Sequence, residues 1–237
     1  MTAEGKNPVR EAINSDTTIE KILVLDGTRD QDIRQIISQA KNKGLRVEYV
    51  KKEALDRVSE TGHHQGIIAF TTDYKYKELD HVLNKNGRKF FVILDAVQDP
   101  HNLGSIIRTA ECFGVTAVII PERGGALVNE TVLRTSAGAV SHLDVVKVKN
   151  INDTIKALKE RHVFVYVADM DGQPLKNTNL KGDIAIVVGA EGNGVSALTR
   201  KLADQIVSIP MVGKVNSLNA SVSAAIMMFE AFRQENF

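Results

Sequence analysis

The stretch FFVILDAVQDPHNLGSIIRTAECFGVTAVIIP, residues 90–121, reads as strand, helix, strand. The runs 90–95 and 116–121 are apolar almost throughout rather than alternating, which is the pattern of strands covered on both faces of a parallel sheet. Between them Leu103, Ile106, Ile107, Ala110 and Phe113 recur at helical spacing, with Gly114 as a stop signal. A strand feeding a helix that returns to a parallel strand predicts an α/β fold.

The same alternation extends in both directions. Towards the C-terminus, strands are expected at 145–148, 163–168, 184–189 and 205–209. Helices are expected near 103–113, 130–138, 152–161, 196–203 and 219–234. Towards the N-terminus, strands are expected at 21–27, 45–50 and 66–72. A helix spans 30–44, with Asp30 as cap and Gly44 beyond its end, and a shorter one covers 52–58. The polar, charged stretch 73–89 ends in Asn86-Gly87 and reads as a linker that can hold one helical turn. The expected organisation is therefore a first domain over 1–72, a linker over 73–89 and a second domain over 90–237. No fixed-period repeat interrupts it.

The composition fits a folded protein of 237 residues, with 43% hydrophobic and 25% charged side chains. No run of 18 apolar residues suggests a membrane span, and the opening MTAEGKNPVREAI lacks the apolar core of a signal peptide. The single cysteine, Cys112, excludes an internal disulfide and a cysteine-cluster metal site, so a cytoplasmic location is expected. His63 and His64 in HHQG are too few to form a metal ligand set, and no metal is expected. The first 88 residues carry 15 basic and 14 acidic side chains, and the rest carry 15 of each. Any nucleic acid must therefore be held by a local patch and not by a global field.

In parallel sheets ligands bind beyond the carboxyl ends of the strands, which directs attention to three loops. After 90–95, Asn102, Ser105 and Arg108 lie three apart along one polar edge of a helix expected to begin at Asn102. They read either as a helix cap with a solvated arginine or as a contact for an anion such as a phosphate. After 184–189, GAEGNGVS (189–196) puts three glycines in six residues. It lacks the lysine of a P-loop and the spacing of a dinucleotide fingerprint, and Glu191 disfavours a phosphate. An ordinary turn remains open for this loop. After 205–209, IPMVGKVNSLNASVSAA (209–225) leads into a helix capped by Ser217 or Asn219, whose small residues suit either close packing or a site. Taken together, the loops suit a neutral or cationic ligand carrying an adenine and a ribose.

These segments, LDAVQDPHNLGSIIRTAECFGV, IVVGAEGNGVS and VSIPMVGKVNSLNASVSAAIMMFEA, resemble the three signature motifs of the SpoU/TrmH family of RNA ribose 2′-O-methyltransferases. Residues 5–72 resemble the small N-terminal substrate-binding domain of the branch that methylates a guanosine ribose in large-subunit ribosomal RNA. The resemblance implies a C-terminal α/β domain with a deep trefoil knot (the SPOUT fold), a small N-terminal α/β domain, S-adenosyl-L-methionine as cofactor and a homodimer acting on RNA. It places the chemistry on Asn102, Arg108, Glu191, Ser217 and Asn219, and recognition of the cofactor on Gly189, Ile209 and Leu218. Transfer RNA as substrate, or a catalytically silent RNA-binding or ribosome-assembly factor on the same scaffold, are the alternatives.

Overall fold

The computed structural model describes every residue except Met1, Asp16, Asp73, Glu191, Asn193, Val215 and Asn216. The chain divides into two compact units, residues 1–75 with 128–130 and residues 76–127 with 131–237.

The first unit is built from β1 (Thr2–Glu4), α1 (Lys6–Asn14), β2 (Thr18–Leu25), α2 (Gln31–Asn42), β3 (Val47–Val50), α3 (Lys52–Val58) and β4 (Ile67–Thr72). Its four-stranded sheet runs β1-β4-β2-β3, with β2 and β3 parallel and the other pairs antiparallel. Asp30 caps α2 as its side chain suggests, accepting from the amides of Asp32 and Ile33 at 2.9 and 3.2 Å. One sheet face is covered by Val9, Ala12, Ile13, Ile33, Ile36, Ile37 and Ala40 of α1 and α2, and the other by Leu55 of α3. The opening strand and helix escaped the sequence reading. A three-residue edge strand carries no usable periodicity, and α1 buries only Val9, Ala12 and Ile13 among charged neighbours.

The second unit begins with α4 (Leu79–Leu83), β5 (Phe90–Asp95), α5 (Pro100–Cys112), β6 (Ala117–Pro121), α6 (Glu130–Thr135) and β7 (Asp144–Val148). It continues with α7 (Ile151–Glu160), β8 (Phe164–Pro174), β9 (Ile184–Gly189), α8 (Ala197–Leu202), β10 (Gln205–Ser208) and α9 (Ala220–Asn236). The six strands run β10-β8-β9-β5-β6-β7, and every pairing is parallel. Phe90 to Leu94 are each 1% exposed or less, as a strand covered on both faces requires. Short α4 lies in the polar stretch 73–89. Its Val82 and Leu83 belong to the core that Phe91, Ile93, Val146 and Val165 help to form. Burying two such side chains is worth roughly 1.5–3 kcal/mol each, so a stable form of this unit must include them.

Among the boundaries that differ from the sequence reading, three have identifiable reasons. Helix α5 starts at Pro100 with Asp99 as cap, accepting from the His101 amide at 2.9 Å, so Asn102 is an interior residue of the first turn. The Asp-Pro pair is a helix start signal in its own right. Helix α6 stops at Thr135 instead of 138, because Ala137 (φ 50°) and Gly138 (φ 90°) turn into the left-handed region. Strand β8 continues to Pro174 instead of stopping at 168. Its partners on β10 jump from Val167 opposite Ile206 to Gln173 opposite Val207, so residues 168–172 form a bulge.

Candidate functional site

The carboxyl ends of β8, β9 and β10 open into a cleft of about 490 Å³. Strand β9 and its loop contribute Val188, Gly189, Ala190, Gly192 and Gly194. The β10 end and the segment after it add Val207, Ile209, Met211, Ser217 and Leu218. Ala220 and Ser223 of α9 and the β8 bulge (Ala168, Asp169 and Met170) complete the wall.

The β9 loop folds back on itself. The Gly194 amide donates to the Ala190 carbonyl at 3.0 Å, and a Cβ at Gly189 would sit 2.2 Å from the Gly194 carbonyl carbon. No side chain fits there, which explains one of the glycines read in this loop. The loop is also tied to the neighbouring strand: the Ser196 amide donates to Asp95 Oδ2 at the end of β5, at 3.0 Å. Ser196 then caps α8 through the Thr199 amide. Gly189, Gly192 and Gly194 can present only backbone to the cleft, as suits recognition of a neutral polar ligand face.

Asn219 caps α9, its Oδ1 accepting from the amides of Ser221 and Val222 at 2.9 and 3.4 Å. Its Nδ2 donates to Asn102 Oδ1 at 3.0 Å. Asn102 is 6% exposed, and a buried amide needs such partners. One hydrogen bond therefore joins the first turn of α5 to the first turn of α9, 117 residues apart. The small residues Ala220, Ala224 and Ala231 are buried, letting α9 lie close against α5 and the sheet.

The sequence-predicted residues thus fall into groups. Gly189, Ile209, Ser217 and Leu218 line the cleft, and Asn102 and Asn219 are bonded to each other beside it. Arg108 is exposed on α5 and is not among the cleft-lining residues. Among the described residues it forms no ion pair. Glu191 lies outside the described residues. No group of His, Cys, Asp and Glu among the described residues could hold a metal, and no helix is long and apolar enough to cross a membrane.

Sequence reasoning missed Asp169 and Met170. The signal was an acid-rich ADMDG immediately after an apolar strand, read as the strand's end rather than as a bulge over the cleft.

Residues 89–229 match the SpoU rRNA methylase family, and residues 2–77 match the RNA 2′-O ribose methyltransferase substrate-binding domain. A protein of Bacillus subtilis (strain 168) named as a TrmH family tRNA/rRNA methyltransferase is 38% identical over 237 residues, 98% of this chain and 95% of its own. A protein of Staphylococcus haemolyticus with the same family name is 42% identical over the same shares of the two chains. The crystal structure of the SpoU methyltransferase AviRb from Streptomyces viridochromogenes, in complex with AdoMet, superposes with a TM-score of 0.64. It covers 99% of this chain and 89% of its own, and at 23% identity it establishes the shared fold. The chain belongs to the SpoU/TrmH family of RNA methyltransferases.

Proposed function

We propose that this chain transfers the methyl group of S-adenosylmethionine to the ribose 2′-hydroxyl of a guanosine in large-subunit ribosomal RNA. The observation that carries this reading is the backbone-walled cleft at the ends of β8, β9 and β10, closed by an α9 cap bonded to the first turn of α5. The cleft fits the cofactor: its glycines allow close approach to an adenosine, and Ile209 and Leu218 offer apolar surface for the adenine. When bound there, the cofactor supplies an activated methyl on a sulfonium.

The chain's own residues must then lower the barrier for a poor nucleophile, a hydroxyl with a pKa far above neutrality. Arg108, a guanidinium without an internal counter-ion among the described residues, serves as the cation that stabilises the developing alkoxide while gripping an adjacent phosphate bidentately. A guanidinium holds its proton far into the alkaline range and is a reluctant base. Asn102, held by Asn219, orients the acceptor side. Ser217 and Glu191 complete the set on the family's pattern. The trefoil-knotted path of the C-terminal segment belongs to the same reading and is supported by the family.

A homodimer is part of it too. Helix α9 leaves Val222 and Phe229 exposed, and Phe113 packs against Phe229 and Phe232 at ring separations of 5.7 and 5.5 Å. That apolar face suits a second copy, which would bring further residues to Arg108.

The first unit acts as the RNA-selecting module. The test is methyl transfer from labelled S-adenosylmethionine to undermodified ribosomal RNA and, in parallel, to tRNA, followed by mapping of the product. A 2′-O-methylguanosine in ribosomal RNA is expected, and modification of tRNA alone would replace the substrate. A fragment starting at Tyr76, which keeps α4, should bind cofactor but methylate RNA more slowly than the full chain. Equal rates would remove the first unit from substrate selection.

A further inference from the structure

Asp169 is the one charged side chain among the described residues that line the cleft. It stands on the bulge 168–172, where β8 has left its pairing with both neighbours. Its side chain is only 16% exposed. Arg200 of α8 donates from Nη1 to Asp169 Oδ2 and also lies 3.7 Å from Asp171 Oδ2. Asp169 Oδ2 is 3.8 Å from where a Cβ on Gly194 would be, so the carboxylate lies against the folded-back β9 loop. Oδ1 has no partner among the described residues.

A partly buried carboxylate is costly unless it is compensated. Arg200 compensates the charge but occupies one oxygen. What remains, on a residue that lines the cleft, is an acceptor oxygen, Oδ1, with the carboxylate's charge offset by Arg200. An acceptor of this kind suits a hydroxyl or amine donor of a nucleoside ligand, where a bare carboxylate would respond mainly to the ligand's positive charge.

We infer that Asp169 is a cofactor-binding residue that accepts a hydrogen bond from a hydroxyl or amine donor shared by S-adenosylmethionine and S-adenosylhomocysteine, and that Arg200 positions and neutralises it. The bulge in β8 exists to carry this acceptor to the cleft. The inference rests on the proposed methyl-transfer reading for the identity of the ligand.

The experiment is calorimetric titration of the full-length protein with S-adenosylmethionine and, separately, S-adenosylhomocysteine, which lacks the sulfonium charge. Asp169→Asn preserves volume, but Arg200 holds its single carbonyl oxygen and turns the amide NH2 towards a ligand donor. The variant should therefore weaken both ligands by about tenfold or more, the range of a hydrogen bond to a charged group, without lowering the melting temperature. Arg200→Gln leaves the carboxylate uncompensated and should raise the preference for the cationic ligand over the neutral one severalfold. A role confined to holding the bulge in place would not produce that change.

Wild-type affinity for both ligands in Asp169→Asn would overturn the inference. So would a loss confined to S-adenosylmethionine, which would make the residue a charge partner of the sulfonium. If the wild-type chain binds neither ligand, the reading of the cleft itself falls, and this inference with it.

Discussion

The two sheets of this protein treat the loops at their ends in opposite ways. In the first unit the loop from Ser59 to Gly66 is filled by its own polar groups. Glu4 accepts from Ser59 Oγ, the Glu60 amide and Thr61 Oγ1 at 2.7, 2.6 and 2.5 Å. Gln65 Oε1 accepts from the Lys6 amide at 3.0 Å, and His64 accepts from the Gly66 amide while facing Asp56 at 2.9 Å. In the second unit the strand ends open into a cleft walled by backbone and apolar groups, with a single described carboxylate. Saturated loops fix a shape to be recognised from outside. Open ones leave hydrogen-bonding capacity for a guest.

If that contrast is correct, the largest effect comes from a residue that neither loop holds. Arg108→Ala should lower methyl transfer by about 100-fold or more, the scale of removing one transition-state donor, while cofactor affinity stays within about threefold. Stability should hardly move, since an exposed residue without an ion pair among the described residues contributes little to it. Titration showing a tenfold loss of cofactor binding would move Arg108 to the cleft and blur the comparison.

A smaller effect is expected at the joint between α5 and α9. Asn219→Ala removes a helix cap worth about 1 kcal/mol and the donor to Asn102, so both the unfolding free energy and turnover should fall. Asn219→Ser restores a cap but is too short to reach Asn102. If it recovers stability without turnover, the bond between the two helices matters for the reaction. Full recovery would reduce Asn219 to a cap.

The mildest effect belongs to the closed loop. Partial burial pushes the Glu4 carboxyl up. The hydrogen bonds from Thr61, Ser59 and the backbone amides of Glu60 and Thr61 outweigh this and hold it at about 2, below its ordinary 4.5. A carboxyl depressed in the folded state stabilises above its unfolded pKa, and that contribution is lost as pH falls from about 4.5 towards 2. Thermal melts across that window should show a steeper decline for the native chain than for Glu4→Gln. Parallel curves would mean that the loop stands without its carboxylate.

The parts legible in the sequence are those where one physical signal acts alone. Strands 90–95 and 184–189 and helix 52–58 have the boundaries their residues suggest, because each is a clean apolar or periodic run between polar stops. Legibility fails where signals overlap. Pro100 after Asp99 begins α5 two residues before Asn102, and the bulge in β8 hides inside what looks like the end of a strand. At the site, the loops after 184–189 and 205–209 could be picked out because they break apolar strands, and the family resemblance singled out within them Gly189, Ile209, Ser217 and Leu218, all of which line the cleft. Asp169 could not, because its place depends on how two strands lose and regain register across five residues.

The hydrogen bond between Asn102 and Asn219 also has a consequence for synthesis. A chain emerging from its N-terminus can pair β5 with β6 and β7 early, since these neighbours are close in sequence. One wall of the cleft, from Val207 to Ser223, is made near the very end. A nascent chain that has completed the first unit and most of the second sheet still has no enclosed place for a nucleoside. Contacts across so many residues also form slowly. On the proposed reading of the cleft, the cofactor site is complete only once the last helix docks, so an incomplete chain would neither hold cofactor nor act on RNA.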